Sequence, residues 1–300
     1  MNILFITLYR ISDIRQRNLY NDLMRKFRDE GHQVHIVSSV ERRCKEKTQI
    51  KVQDGIHLLQ VKTLNVQKTN IIEKGLGTLL LEFQFYHAIH KHFSRIKFDL
   101  VLYSTPPITL TSVVQSIRKR DKARTYLLLK DIFPQNAVDI GMLHDKGILY
   151  RFFRLKEKKL YNCSDFIGCM SPANVRYLLA HNPSIPPQKV EVNPNSIELS
   201  GFNLSFNERN ILRNKYQMPV SQTIFVYGGN LGKPQGIDFL IEVIKDNADN
   251  KNAFFLIVGS GTEYNRLNTW FKRNEPSNAR LIPGLPQEEY DRLVQACDVG

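Results

Sequence analysis

Residues 223–244 read TIFVYGGNLGKPQGIDFLIEVI. Thr223–Tyr227 is a short apolar run of the kind that forms a buried strand. It passes into Gly228–Gly236, and a helical apolar pattern starts at Ile237. Strand, glycine-rich loop and helix aim backbone N–H groups and a helix N-terminus at a phosphate. Four glycines in nine residues let a backbone approach a ligand closely, and Lys233 adds a mobile positive charge. The plainer alternative is a tight β–α turn that binds nothing. A Walker A loop is excluded, because Gly228 to Gly232 is one residue short and Pro234 stands where the hydroxyl is needed. The G-x-G-x-x-G dinucleotide spacing is also absent.

Outward from this stretch, strand and helix patterns alternate almost throughout. Strands are predicted at Asn2–Leu8, Gln33–Ser38, Asp99–Ser104, Arg124–Lys130, Asp165–Cys169 and Val190–Val192. Ile56–Val61 alternates more and is expected at a sheet edge. Helices are predicted at Arg17–Glu30, Leu76–Phe93, Ile108–Arg120 and Ile148–Tyr161, and another starts at Ser171-Pro172. Asn193-Pro194-Asn195-Ser196 is turn chemistry and marks a boundary between a domain at 1–196 and one at 197–300. Beyond it come a helix at Phe206–Tyr216, the 223–244 unit, strands at Ala253–Val258 and Ala279–Ile282, and a helix at Glu288–Ala296. Repeated βα units imply an α/β fold of two Rossmann-like domains, each a parallel sheet with helices on both faces. Ligands in such folds collect beyond the carboxyl ends of the strands. The second domain is expected to be incomplete, because Asp298-Val299 reads as the opening of a further strand just where the chain stops.

Composition sets the remaining bounds. Three hundred residues suit about two domains, and a 42% hydrophobic fraction is that of an ordinary globular protein. Cys44, Cys163, Cys169 and Cys297 form no C-x-x-C pair and read as reduced thiols of a cytoplasmic protein. Ile3–Leu8 is too short for a signal-peptide core, and no run is long enough to span a membrane. Residues 1–196 hold 31 basic and 17 acidic side chains, a net of +14, whereas residues 197–300 hold 11 and 12. The whole positive balance therefore lies in the first domain. It suits an anionic partner such as a membrane leaflet, a phosphorylated substrate or nucleic acid, or simply a solvated basic surface.

Several residues stand out. Asp131 follows the apolar strand and is either a site carboxylate, with Asn136 orienting it, or a turn residue before Phe133-Pro134. Arg15 and Arg17 either grip an acceptor diphosphate or lie on the surface at a helix start. His87 and His90 share a helix face without the carboxylates of a metal site, so they read as ordinary helix residues. Ile148–Tyr161 mixes aromatic and basic residues and either lies on an anionic membrane or packs its rings inward.

Taken in order, five segments resemble GT-B glycosyltransferases, and within them family 4, in its branch of bacterial capsule, exopolysaccharide and O-antigen enzymes. They are Lys130–Val138, Ser164–Ser171, the hinge Val192–Asn195, Tyr227–Gly236, and Gly259-Ser260-Gly261 with Gly284-Leu285-Pro286. The resemblance implies a nucleotide-sugar donor held by the second domain. Gly229 and Asn230 would contact its diphosphate, Lys233 would supply charge, Gly259 would flank it, and the backbone near Leu285 would meet the base. It implies a retaining, metal-independent transfer with no cofactor, in which Lys233 and the helix dipole stabilise the departing nucleoside diphosphate. Asp131 would be the catalytic carboxylate, with Arg15, Arg17 and Asn136 on the acceptor side. The implied acceptor is a polyprenyl-diphosphate-linked or polysaccharide chain, met at the inner face of the cytoplasmic membrane. The sequence departs from the family pattern where Asn230 replaces an arginine and where the acidic E-x7-E region would lie beyond residue 300. Two other readings stay open: a non-catalytic relative, and a nucleic-acid-binding protein, for which no helix-turn-helix, zinc finger or RNP strand is found.

Overall fold

Alternation along the first strand, β1 (Asn2–Thr7), sends Leu4 and Ile6 to one face of a sheet and Phe5 to the other. The computed structural model describes residues 1–66, 71–198, 201 and 204–300, without the side chains of 71, 72 and 74–76. The side chain of Leu76, where a helix was expected to begin, therefore lies outside this set. The chain divides into two compact units, residues 1–198 and 199–300.

In the first unit β1 is followed by α1 (Leu19–Asp29), β2 (Gln33–Glu41), β3 (Gln49–Gln53), β4 (Ile56–Thr63) and α2 (Ile71–His92). Then come β5 (Leu100–Ser104), α3 (Thr111–Asp121), β6 (Arg124–Leu129), α4 (Gln135–Asp139) and α5 (Ile148–Cys163). The unit closes with β7 (Phe166–Cys169), α6 (Pro172–His181) and β8 (Val190–Val192). The sheet order is β3-β4-β2-β1-β5-β6-β7-β8, parallel except for β3. The expected edge position of Ile56–Val61 is corrected: β4 lies inside the sheet, and β3 takes the edge. β3 and β4 form a hairpin closed by Asp54-Gly55, both at positive φ. α1 covers one face through Met24, Leu23 and Phe27, whereas α2, α3, α5 and α6 cover the other with a larger core.

His35 on β2 is a buried exception in this core. It stacks on His57 at 4.9 Å, meets Phe93 and Phe98 edge-on, and among the described residues its Nδ1 has no hydrogen bond. Burial, then the neighbouring His57, pushes its pKa down to about 4. Its folded pKa lies below the unfolded value of about 6.5, so the unfolded chain binds more protons between these limits. Stability is full above pH ~6.5 and falls as the pH drops towards 4, with a total cost of about 3 kcal/mol from this group. Urea unfolding across this range is expected to show the loss for the wild type and a flatter profile for His35→Phe. Parallel profiles would show that His35 is not the titrating group.

The second unit contains α7 (Phe206–Lys215), β9 (Thr223–Asn230), α8 (Ile237–Asp246), β10 (Ala253–Ser260), α9 (Tyr264–Asn274), β11 (Ala279–Pro283) and α10 (Gln287–Gln295). Its parallel sheet runs β11-β10-β9, and Val299 makes a further parallel bridge to Phe225. α7 and α10 pack on one face around Ile224, Leu256 and Leu293, and α8 and α9 on the other around Ile241, Ile257 and Leu267. Asp298 accepts from the Ile224 N–H and from Arg213, each at 2.7 Å, which secures the strand start against α7.

Candidate nucleotide-sugar and acceptor sites

The glycine-rich stretch differs from its sequence reading at one end. The strand does not stop at Tyr227: β9 continues to Asn230, and Gly228, Gly229 and Asn230 pair in register with Val258, Gly259 and Ser260. The loop proper is Leu231–Gly236. Gly229 holds φ +146°, a conformation that favours glycine. Gly228 lies against Tyr290, whose ring would occupy the space of an added Cβ. A Cβ on Gly259 would fall 2.1 Å from the Gly229 carbonyl oxygen, and one on Gly261 2.3 Å from that of Leu231. Much of the glycine content is therefore demanded by the close approach of β9, β10 and the segment after it.

This packing brings the predicted donor residues together. Gly259 is the register partner of both Gly229 and Pro283, and Leu285 follows two residues later, half-buried against the core. Asn230 donates its side-chain amide to Gln235 Oε1 at 3.1 Å, and the Gly232 N–H meets the same oxygen at 3.1 Å. Gln235, not singled out in the sequence, thus braces the loop from within. Lys233 is exposed at the start of a single 3-10 turn, and among the described residues it has no ion pair. Gly236 at φ +62° leads into α8, whose N-terminus has no side-chain cap. Asp238 in its first turn is held by Arg266, which also binds Glu263 at 2.7 Å. The strand ends therefore present a free cation beside an uncapped helix N-terminus, an arrangement suited to an anion.

In the first unit, Asp131 lies just past the carboxyl end of β6. Thr105 Oγ1 accepts from the Lys130 and Asp131 N–H groups at 3.0 and 3.2 Å and donates to the Asp131 carbonyl. The Asp131 carboxyl itself has no hydrogen bond or ion pair among the described residues. It caps no helix: the residue before α4 is Pro134, without a side-chain cap. Partial burial raises its pKa, and burial lowers that of Lys130. Lys130 lines a cavity of about 310 Å³ with Tyr20, Tyr126 and Asn193 on the α1 side of the sheet. Asn136 lies on α4 with Oδ1 buried and, among the described residues, without a hydrogen-bond partner. Lys130 and Thr105 were missed as site residues, although Lys130 adjoins Asp131 and Thr105 opens the Thr-Pro-Pro that ends β5.

The two arginines have partners inside the first unit. Arg15 grips Asp13 at 3.0 and 2.8 Å and pulls that carboxyl down to about 2. Arg17 donates to the Glu198 carbonyl, and buried Arg25 joins Asp22 and Glu198 at 2.7 Å each. The hinge is also tied down. Asn193 donates to Tyr126 Oη at 2.7 Å, and Tyr126 donates to Glu191 at 2.6 Å. His87 bonds Phe83 O and His90 bonds Ser116, as ordinary helix residues do. Among the described residues no cluster of His, Cys, Asp and Glu could hold a metal ion, and no helix is long and apolar enough to cross a membrane.

Two α/β units, with glycine-bordered strand ends in the second, define the Rossmann-like GT-B class. The chain belongs to Glycosyltransferase Family 4, which it matches over residues 18–200, and residues 208–300 match Glycosyl transferases group 1. It is similar to the probable glycosyltransferase WbjE of Pseudomonas aeruginosa, 24% identical over 77% of this chain and 56% of that protein. It is also similar to the putative colanic acid biosynthesis glycosyl transferase WcaI of Escherichia coli K12, 25% identical over 69% of this chain and 50% of that one. The chain thus spans about half the length of the curated relatives it matches. Among solved structures, Anabaena Alr3699/HepE in complex with UDP and glucose shares the fold. Its TM-score is 0.63 at 13% identity, covering 99% of this chain and 72% of that one.

Proposed function

We propose that the protein is a glycosyltransferase that binds a nucleotide-diphosphate sugar at the ends of β9, β10 and β11. The observation that carries this reading is the unpaired Lys233 beside the uncapped start of α8, next to the paired glycines Gly229 and Gly259. The diphosphate takes the helix N-terminus and Lys233, and the base lies near Leu285. The glycosyl–oxygen bond to the diphosphate breaks, an acceptor hydroxyl oxygen bonds the sugar carbon, and the hydroxyl proton is released. Lys233 and the helix dipole offset the charge left on the nucleoside diphosphate without a metal ion, and the configuration at the sugar carbon is retained. In the first unit Asp131 is assigned to the acceptor hydroxyl and its proton, with Asn136 beside it and the Arg15–Arg17 segment towards an acceptor diphosphate.

Support for a sugar of the hexose type and for surface-polysaccharide synthesis comes from the relatives. WcaI is named for colanic acid biosynthesis, and HepE was solved with UDP and glucose. A polyprenyl-diphosphate-linked or polysaccharide acceptor, met in the cytoplasm, fits the net +14 charge of residues 1–196. Incubation with labelled UDP- and GDP-sugars and a polyprenyl-diphosphate-linked saccharide tests the proposal. Label is expected to pass into the lipid fraction with one donor; its retention in the nucleotide with every donor would contradict the reading.

A further inference from the structure

α5 turns an apolar stripe outward. Phe153 points inward, edge-on to Phe133 at 5.0 Å, and Leu160 is fully buried, which fixes the helix rotation. Ile148, Phe152 and Leu155 then share the opposite face, with exposures of 86, 38 and 61%, while Leu149, on the Phe153 side, is 60% exposed at the helix start. Met142, just before the helix, is also exposed. Three large apolar side chains on one solvent-facing helix stripe, with Leu149 exposed beside them, exceed the scattered exposure normal for a surface.

The charge around this stripe selects its partner. Lys156 and Lys159 continue the same face towards the C-terminus, and Arg151 and Lys158 flank it. Lys156 lies over the Phe152 ring at 5.9 Å. Among the described residues these four cations carry no ion pair. The only acid on α5, Glu157, is buried and committed to Arg154 and Tyr161. An apolar stripe bordered by unpaired cations fits the headgroup boundary of an anionic bilayer, with its apolar face in the acyl region. A second copy of this helix would set like charges against each other.

We infer that α5 is the docking surface of this protein on an anionic lipid bilayer, entered by Ile148, Phe152 and Leu155. The ring contact of Phe153 with Phe133 and a hydrogen bond from Tyr150 to Gln135 join the docked end of α5 to the segment that carries Asp131. Docking there holds the Asp131 segment close to the lipid surface. The inference rests on the lipid-linked-acceptor reading only for its purpose, because the surface acts without a donor or acceptor.

The test is flotation with vesicles of phosphatidylcholine mixed with phosphatidylglycerol and with vesicles of phosphatidylcholine alone, without nucleotide sugar. The chain is expected to float with the anionic vesicles only. Phe152→Ser/Leu155→Ser and Lys158→Glu/Lys159→Glu should each weaken this partition about tenfold or more, with unchanged circular dichroism. Wild-type binding by either double variant, or no flotation of the wild type, would overturn the inference. So would a dimer in sedimentation that Phe152→Ser/Leu155→Ser dissolves, since the stripe would then serve a second copy. Failure of sugar transfer with intact flotation would count against the transferase reading and leave the docking surface standing.

Discussion

Asp131→Asn is expected to lower sugar transfer by about 10²–10⁴-fold without loss of stability. Among the described residues the Asp131 carboxyl makes no hydrogen bond or ion pair, so the substitution removes no described contact of the fold. Burial raises its pKa, so the folded state disfavours the carboxylate. The resulting cost is absent below the unfolded pKa, grows as the pH rises through the raised folded pKa, and stays constant at neutral pH. Removing the charge therefore leaves stability at pH 7 unchanged or slightly higher, as is common for residues kept for function. Initial rates and thermal unfolding of both forms check this. In the wild type, the acid limb of the kcat/KM profile should lie above the ordinary aspartate range. Full activity of Asp131→Asn would remove the catalytic role, and a lowered Tm would make Asp131 a structural residue.

Gly259→Ala is expected to destabilise the second unit by about 3 kcal/mol or more and to abolish nucleotide binding. The added Cβ would lie 2.1 Å from the Gly229 carbonyl oxygen and 3.2 Å from both its carbonyl carbon and Leu231 Cγ. The nearest obstacle is backbone on the register partner, so no flexible side chain can yield. The strands must part where the donor residues converge. Trp270, the single tryptophan, lies on α9 in the second unit, so its fluorescence follows unfolding there. Gly201→Ala, whose Cβ would meet no described residue within 4 Å, is the control and should unfold like the wild type. Coincident transitions for Gly259→Ala and the wild type would contradict the close approach of β9 and β10.

The strands were legible because their signals are local. Val101 to Tyr103 and Leu127 to Leu129 are apolar runs. β3 was missed because Gln49–Gln53 is mostly polar and half exposed, although Asp54-Gly55 between alternating residues is a recognisable hairpin turn. The extension of β9 to Asn230 was hidden by Gly228 and Gly229, which read as loop until their pairing with β10 is known. The same holds for charges. Arg15 finds Asp13 two residues away, but Arg17 reaches Glu198, 181 positions along the chain, which no local pattern reveals. Asp131 could be picked from its place after an apolar strand. That Thr105 holds its backbone, while its carboxyl has no partner among the described residues, emerges only from the packing of β5 beside β6.

The central claim is that the β9–α8 loop holds the donor diphosphate through Lys233. Calorimetric titration of the chain with UDP and with GDP, repeated on Lys233→Ala, tests it most directly. A saturable heat is predicted for at least one nucleotide, with the affinity about tenfold or more weaker in Lys233→Ala, as loss of one charged contact implies. Equal affinity in the two proteins, or no heat with either nucleotide, would contradict the account.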